Sequence, residues 1–417
     1  MGNRNIEWWE KIARAYEKVI IRTSFYQDME SELVEKLKGR KRVLDLGCGI
    51  GNVLEKFLRE NPSSTAVGVE LNQSMIDIAE REIISEQNNG RVKLVNGDAT
   101  KYIDSERFDA VVSSNVLFCL EKPFDLLLNA YNTLLPGGHF VLTSMKEGAN
   151  LETLMQAATE EIKSSGEFKE KEQYLNTVHS VNSMFKGKAN VLTNQRIAEV
   201  LTKFYGFRRI LHNSDTYLGQ NFLVAAERGK DVKLDELDVK VAEGDEIIDT
   251  FKIRYHCMKE RLGFLEANPL LDNWQMEYDV FDFKAHHVIA VHDGRILSLE
   301  RYVGDSNIGL PVEKVYDLSP IRKQDTKLCE PGRWVSLPFA PKGAGKAVIK
   351  WAYNFLLGAG FTHWVGTVDE EPRVISYYKR MGFPLENPRS LEALGIKRNV
   401  YFTCFDLNQG SDFFKKD

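Results

Sequence analysis

Arg42-Val43-Leu44-Asp45-Leu46-Gly47-Cys48-Gly49-Ile50-Gly51 sets the architecture of the first half of the chain. An apolar strand runs into a carboxylate, three glycines follow at alternate positions, and a helix opens near Asn52. Lacking Cβ atoms, such a turn brings its backbone against a ligand, and the helix N-terminus adds partial positive charge. Gly-x-Gly-x-Gly differs from the Gly-x-Gly-x-x-Gly loop of dinucleotide folds, and Asp45 within it suits a ligand carrying an ammonium group. Outward from this turn, apolar runs alternate with amphipathic stretches: AVGVEL (66–71), VKLVNG (92–97), FDAVVSS (108–114), HFVLTS (139–144), FRRIL (207–211) and NFLVAAE (221–227). That rhythm is an α/β, Rossmann-like, mostly parallel seven-stranded sheet wrapped by helices. HNSDTYLGQ (212–220) is too short for a crossover helix, so the last two strands pair as an antiparallel edge hairpin.

Acidic residues recur at successive strand ends. Glu70 closes the second strand, where a carboxylate accepts both hydroxyls of a ribose, and Asp98, followed by Ala99, closes the third, where it receives an adenine amino group. With the Leu135-Pro136-Gly137-Gly138 turn, residues 1–228 resemble the class I S-adenosylmethionine-dependent methyltransferases. The resemblance implies cofactor contacts at Asp45, Gly47, Gly49, Gly51, Glu70, Asp98 and Ala99, with Ser114 and Asn115 facing the methyl group. Asn115 reads equally as a turn residue bonding its own backbone. The acidic-Pro-Pro-aromatic signature of amino-methylating DNA enzymes is absent at Ser113-Ser114-Asn115-Val116, which favours a small acceptor. Methyl transfer needs mainly position, so no base is assigned. Trp8, Trp9, Tyr16 and Tyr26 form either an aromatic lid or plain helix packing, and His179 is either a base or a surface residue.

The chain has 417 residues, enough for two domains. With 43% hydrophobic and 28% charged residues and a net charge of −5, it has no basic excess for nucleic acid. No apolar run of membrane-spanning length and no signal-like N-terminus occur, so a cytoplasmic protein without a membrane partner is expected. Its five scattered cysteines support neither disulfides nor a metal site. The helix-rich stretch at about 148–205 reads as a cap on the methyltransferase sheet, the charged, aperiodic residues 229–244 as a linker, and residues 245–417 as a second, α+β domain. A homodimer stays open.

In that second half, costly charges cluster beside apolar runs: Arg254, Glu277, Asp279, Asp282, Arg301, Glu330 and Arg333. Such groups neutralise one another, either as a structural ion-pair network or around a cleft. Their order over residues 245–385 resembles the acyl-homoserine-lactone synthases and N-acyl amino acid synthases, variants of the GNAT acyltransferase fold. The resemblance implies an amine-acceptor site built by Arg254, Asp279, Asp282, Arg301 and Arg333, with Glu330 as the base. Met258 departs from the aromatic usual there. The loop Pro341-Lys342-Gly343-Ala344-Gly345-Lys346 opens a helix, making Gly343 and Gly345 a backbone cradle for the phosphate of an acyl thioester donor. Ala340 replaces the Arg or Gln that usually opens this loop, which favours acyl carrier protein over coenzyme A, met by Lys342, Lys346 and Lys350. Tyr378 stands where the family holds the acid for the leaving thiolate, though it and Tyr377 read equally as core; backbone N–H groups near Ser336 and Leu337 are expected to hold the oxyanion. The reading is therefore a bifunctional small-molecule enzyme of secondary-metabolite or signal biosynthesis. The alternatives are a methyltransferase carrying a non-catalytic acyltransferase-like binding module, or a sensor that binds S-adenosylmethionine without turnover.

Overall fold

A computed structural model describes residues 12–83, 90–185, 191–263, 265, 268–393 and 396–415. Its contacts divide into two compact units, Met1–Lys230 and Asp231–Asp417.

In the first unit, β1 (Arg42–Leu46), β2 (Thr65–Glu70), β3 (Val92–Asn96), β4 (Phe108–Ser114), β5 (Leu134–Met145), β6 (Phe207–Thr216) and β7 (Asn221–Arg228) form one sheet ordered β3-β2-β1-β4-β5-β7-β6. Strands β1 to β5 run parallel. β7 is antiparallel to β5, and β6 to β7, as the short connection requires. Val43, Leu44 and Leu46 are fully buried because β1 is central and covered on both faces. The order reverses between β1 and β4, and a crevice opens at such a switch point beyond the strand ends. Helices Leu151–Ser164 and Phe168–Phe185 join the apolar cluster that also holds Met29 and Val53. The first is capped by the Asn150 side chain, which accepts from Glu152 N (3.0 Å). It buries Leu154, Met155, Ala158 and Ile162 at helical spacing.

The second unit carries β8 (Asp238–Val241), β9 (Ala285–His292), β10 (Arg295–Gly304), β11 (Leu328–Ser336), β12 (His363–Asp369), β13 (Glu386–Ala393) and β14 (Ile396–Asp406), ordered β13-β14-β12-β11-β10-β9-β8. β8 falls within the stretch expected as a linker. Its charges alternate with Val239 and Val241, the period-two pattern of an edge strand, and it pairs with β9. Tyr302, Cys329 and Trp364 pack on one face with helix Ala344–Gly358, and Val303, Leu328 and Val365 on the other with Val312 and Tyr316. β11 and β12 are parallel but pair only at Leu328↔His363 and Cys329↔Trp364, and the sheet splits beyond that point. β11 is also bulged against β10: Arg301 opposes Gly332 and Leu299 opposes Val335, leaving Arg333 and Trp334 across from Glu300. Arg333 takes φ +59° to make the kink. No helix among the described residues is long and apolar enough to cross a membrane.

Candidate active sites

At the switch point of the first sheet lies a cavity walled by Asp45, Gly47, Gly49, Glu70, Asp98, Ala99, Ser114 and Asn115, with Tyr16 and Tyr26. Gly51 is not on this wall. A Cβ there would stand 2.0 Å from Ile83 Cδ1, so its bare Cα seats the neighbouring helix instead of a ligand. Gly47 has φ +85°, and a side chain on it would meet Val116 Cγ2 at 2.3 Å. Gly49, at φ +56°, has only Met75 Sδ at 3.9 Å before it.

The loop is tied down by Glu70. Its carboxylate accepts from Gly49 N (3.1 Å) and Asn72 N (2.9 Å), while burial raises its pKa. Asp45 is different: it is buried, and Oδ1 has no hydrogen-bond partner. Burial, then the Glu70 charge, pushes its pKa up to about 8. An orphaned carboxylate oxygen facing a cavity fits an ammonium, and the glycine turn leaves room for it. S-adenosylmethionine presents that group, so the residues present fit it. Asp98 accepts from Thr100 N and Oγ1 (2.9 and 2.7 Å) and pairs with Lys101 (3.0 Å), at the rim.

Asn115, at φ +58°, does not bond its own turn; its Oδ1 accepts from Asn221 Nδ2 (2.7 Å) on β7. Tyr16 and Tyr26 pack edge-on at 6.2 Å, and Tyr26 meets Tyr217 at 6.3 Å, so these rings both pack and wall the cavity. Burial pushes the Tyr16 phenol up to about 12. Trp8 and Trp9 lie outside the described residues. His179 is more than half exposed beside Glu152 and belongs to neither cavity wall, which leaves it a surface residue. Asn221, Tyr217 and Asn182 line the site's second chamber without any motif announcing them.

In the second unit the charges converge. Arg254 is wholly buried, held by Glu277 and by both oxygens of Asp282 (2.6 and 3.1 Å). Arg301 bonds Asp279 (2.7 Å) and Asp282 (3.1 Å), and Arg333 bonds Glu277 (2.9 Å). The Asp279 amide also donates to Asp282 (2.7 Å). Burial would raise the Asp282 carboxyl, but the Arg254 and Arg301 contacts outweigh it and hold it at about 2. Arg254 and Arg301 thus share Asp282 beneath the surface, and Arg301 Nε is left without a partner among the described residues. Of the five residues expected to bind the acceptor, Arg254, Asp282 and Arg301 are buried, and Asp279 and Arg333 are each about a third exposed.

Glu330 stands apart from this network. It is buried, accepts from Val312 N (2.7 Å), forms no ion pair among the described residues, and lies over Gly366 of β12 at the split. Burial is the main cause of its pKa of about 8. On the opposite sheet face Glu300, unnoticed in the sequence, accepts from Tyr302 OH (2.5 Å) and is also held at about 8 by burial. The Tyr378 phenol is raised by burial and by the charges of Glu300 and Glu330. One expectation narrows here. The Leu337 amide is donated to Leu297 O (2.8 Å), so it is not available to an oxyanion. Gly345 lies under the Trp334 indole, where a Cβ would stand 2.5 Å from Cζ2, so its missing side chain seats that ring, itself stacked on Tyr377 at 5.6 Å, while its amide lies in the first turn of helix Ala344–Gly358. Gly343, at φ +101°, remains at the N-terminus of helix Ala344–Gly358.

The chain is similar to two families, one in each unit. The family described as "Methyltransferase domain" matches residues 44–140, and "N-acyl amino acid synthase FeeM" matches residues 249–397. The pairing of a methyltransferase domain with an N-acyl amino acid synthase domain, expected from the residues, is borne out. Among curated proteins, a malonyl-[acyl-carrier protein] O-methyltransferase of Halalkalibacterium halodurans is 28% identical over 122 residues, 26% of this chain and 44% of that protein. Its namesake in Haemophilus ducreyi is 27% identical over 135 residues, 31% of this chain and 52% of that protein. The chain thus spans about half the length of these curated relatives. Among solved structures, the N-methyltransferase NodS of Bradyrhizobium japonicum with S-adenosyl-L-homocysteine aligns at TM-score 0.36 and 14% identity, over 50% of this chain and 90% of that one. A possible histamine N-methyltransferase of Thermotoga maritima aligns at 0.38 and 16%, over 53% and 98%.

Proposed function

We propose that the chain is a bifunctional transferase: its first unit moves a methyl group from S-adenosylmethionine to a small molecule, and its second moves an acyl group from a thioester to an amino-acid-like amine. One observation carries the reading. Each unit buries a carboxylate without a counter-ion beside an opening, Asp45 at the switch-point cavity and Glu330 at the split between β11 and β12. A group so costly to bury is retained where a ligand completes it.

In the first unit Asp45 takes the ammonium, Glu70 the ribose hydroxyls and Asp98 the adenine amino group. When bound, S-adenosylmethionine supplies an electrophilic methyl on a sulfonium. Ser114 and Asn115 then orient the acceptor, so the protein contributes chiefly alignment.

In the second unit the unpaired edges of β11 and β12 present backbone donors and acceptors to the amide-bearing arm of a coenzyme A or carrier-protein thioester. Glu330 removes a proton from the amine, the nitrogen attacks the thioester carbon, and the Tyr378 phenol protonates the departing thiolate. Asp279 and Arg333 orient the acceptor, and Arg254, Asp282 and Arg301 hold those two in place. Lys342, Lys346 and Lys350 offer positive charge to an acidic carrier protein.

The test is mass spectrometry of extracts from cells making the wild type, Asp45→Ala or Glu330→Gln, fed methyl-labelled methionine. Label is expected in a new product that Asp45→Ala abolishes, and a new acyl amide that Glu330→Gln abolishes. An acyl product that survives Glu330→Gln reduces the second unit to a binding module. Bound S-adenosylmethionine with no labelled product makes the first unit a sensor.

A further inference from the structure

Behind the methyl-donor cavity lies a second chamber, which shares Tyr16 and Asn115 with it as common walls. A molecule reaching the methyl group from this side therefore has its remaining bulk in that chamber. The helices of residues 151–185 give it the aliphatic side chains Leu151, Leu154, Met155 and Val178, and Phe118 and Met145 line it too. Its polar side chains are the amides Asn115, Asn182 and Asn221 and the phenols Tyr16 and Tyr217. No Asp, Glu, Lys, Arg or His among the described residues lines it.

A free amino acid, carrying a charge at each end, would leave at least one of them without a counter-ion in such surroundings, at a cost of several kcal/mol per ion. A hydrocarbon chain gains from the same walls. The nucleophile is constrained too. The carboxylates of the adjoining cavity, Asp45, Glu70 and Asp98, are engaged by the methyl donor in the reading above, and the described lining of the chamber holds no further basic side chain, so a nucleophile that attacks without first losing a proton is favoured over an alcohol or phenol. Acylation turns an amine into an unreactive amide, and the group then left able to attack as it stands is a carboxylate.

Resting on the methyltransferase reading above, we propose that the methyl acceptor is an N-acylated amino acid, its acyl chain in the aliphatic chamber and its carboxylate at the junction by Asn115, so that methyl transfer follows acyl transfer. Asn115 is placed for this. Its Oδ1 is engaged by Asn221, and its Nδ2 has only the weak acceptor Met29 Sδ at 3.9 Å, which leaves that amide to donate to the carboxylate. The carboxylate oxygen forms a bond to the methyl carbon as the sulfur–carbon bond breaks, and that electron pair stays on sulfur. Sulfonium and carboxylate become a neutral thioether and a neutral methyl ester, and no proton moves.

The experiment gives the purified full chain methyl-labelled S-adenosylmethionine with glycine, leucine and tyrosine, each free and as its N-acetyl, N-hexanoyl and N-decanoyl derivative. Base-labile label in methyl esters is expected, with kcat/KM rising up to about fourfold per added methylene until the chamber fills. Leu151→Trp, which occupies the chamber, should cut the decanoyl-to-hexanoyl preference at least tenfold; being a ratio, this readout does not depend on how much of the variant folds. Binding of S-adenosylmethionine with methylation of the free amino acids, with a base-stable product, or with no dependence on chain length overturns the proposal while sparing the methyltransferase reading. Failure to bind S-adenosylmethionine in calorimetry overturns both.

Discussion

Asp45 and Asp282 are both buried carboxylates next to a strand or turn, yet their surroundings are opposite. Asp282 receives two bonds from Arg254, one from Arg301 and one from the Asp279 amide, and titrates at about 2. Asp45 has an oxygen with no partner and titrates at about 8. A buried charge that is fully paired is scaffold, whereas one left incomplete is waiting for something the chain does not supply. By that criterion Glu330 belongs with Asp45, although in sequence it sits among the residues that pair with Asp282.

The contrast breaks most visibly at Glu330. Glu330→Gln should slow acyl transfer by about 10²–10⁴-fold in a thioester-cleavage assay, with thermal unfolding little moved. A large fall in melting temperature with a small fall in rate would return Glu330 to the scaffold. Arg254→Ala asks the opposite question: stripping the guanidinium from Glu277 and Asp282 should lower the unfolding free energy of the second unit by about 3–5 kcal/mol in urea titration. A loss below about 1 kcal/mol would mean that the network is not holding the unit together.

The smallest effect concerns pH. Because the pKa of Asp45 is raised in the fold, its protonated form is the comfortable one. The stability it allows is complete below the unfolded value near about 4 and is lost as pH rises towards 8. Binding an ammonium reverses this by requiring the carboxylate. The affinity for S-adenosylmethionine should therefore climb about tenfold per unit between pH 6 and 7.5, and Asp45→Asn should flatten the slope; a flat wild-type profile in calorimetry would remove Asp45 from the ammonium site.

Much of this was legible because it repeats. Short apolar runs alternating with amphipathic stretches set the first sheet, and Asp45, Glu70 and Asp98 announced themselves at successive strand ends. Gly51 and Gly345 show that a missing side chain does not say what fills its place: Ile83 does so at one and Trp334 at the other. Asn221 was invisible, since its meeting with Asn115 depends on how β7 lies against β5. Glu300 was passed over as one charge in an apolar strand, although its partner Tyr302 is only two residues on and on the same sheet face. The acidic and basic set of the second unit was readable as a set, but not its division into buried and outward-facing members, because burial depends on which elements cover each residue.

Glu330 and Arg333 are three residues apart, an odd number in an element whose side chains alternate, so a flat ribbon would aim them to opposite sides. They share a side only because the chain makes an extra step at Arg333, through a left-handed conformation that an arginine adopts at a cost of about 1–2 kcal/mol. A Glu-x-x-Arg spelling here is thus the written trace of a dislocation. Deleting one residue between the two would straighten the ribbon and leave everything downstream on the side it already occupies, because the dislocation has absorbed that one extra residue; a deletion that left the kink in place would instead turn the downstream chemistry inside out.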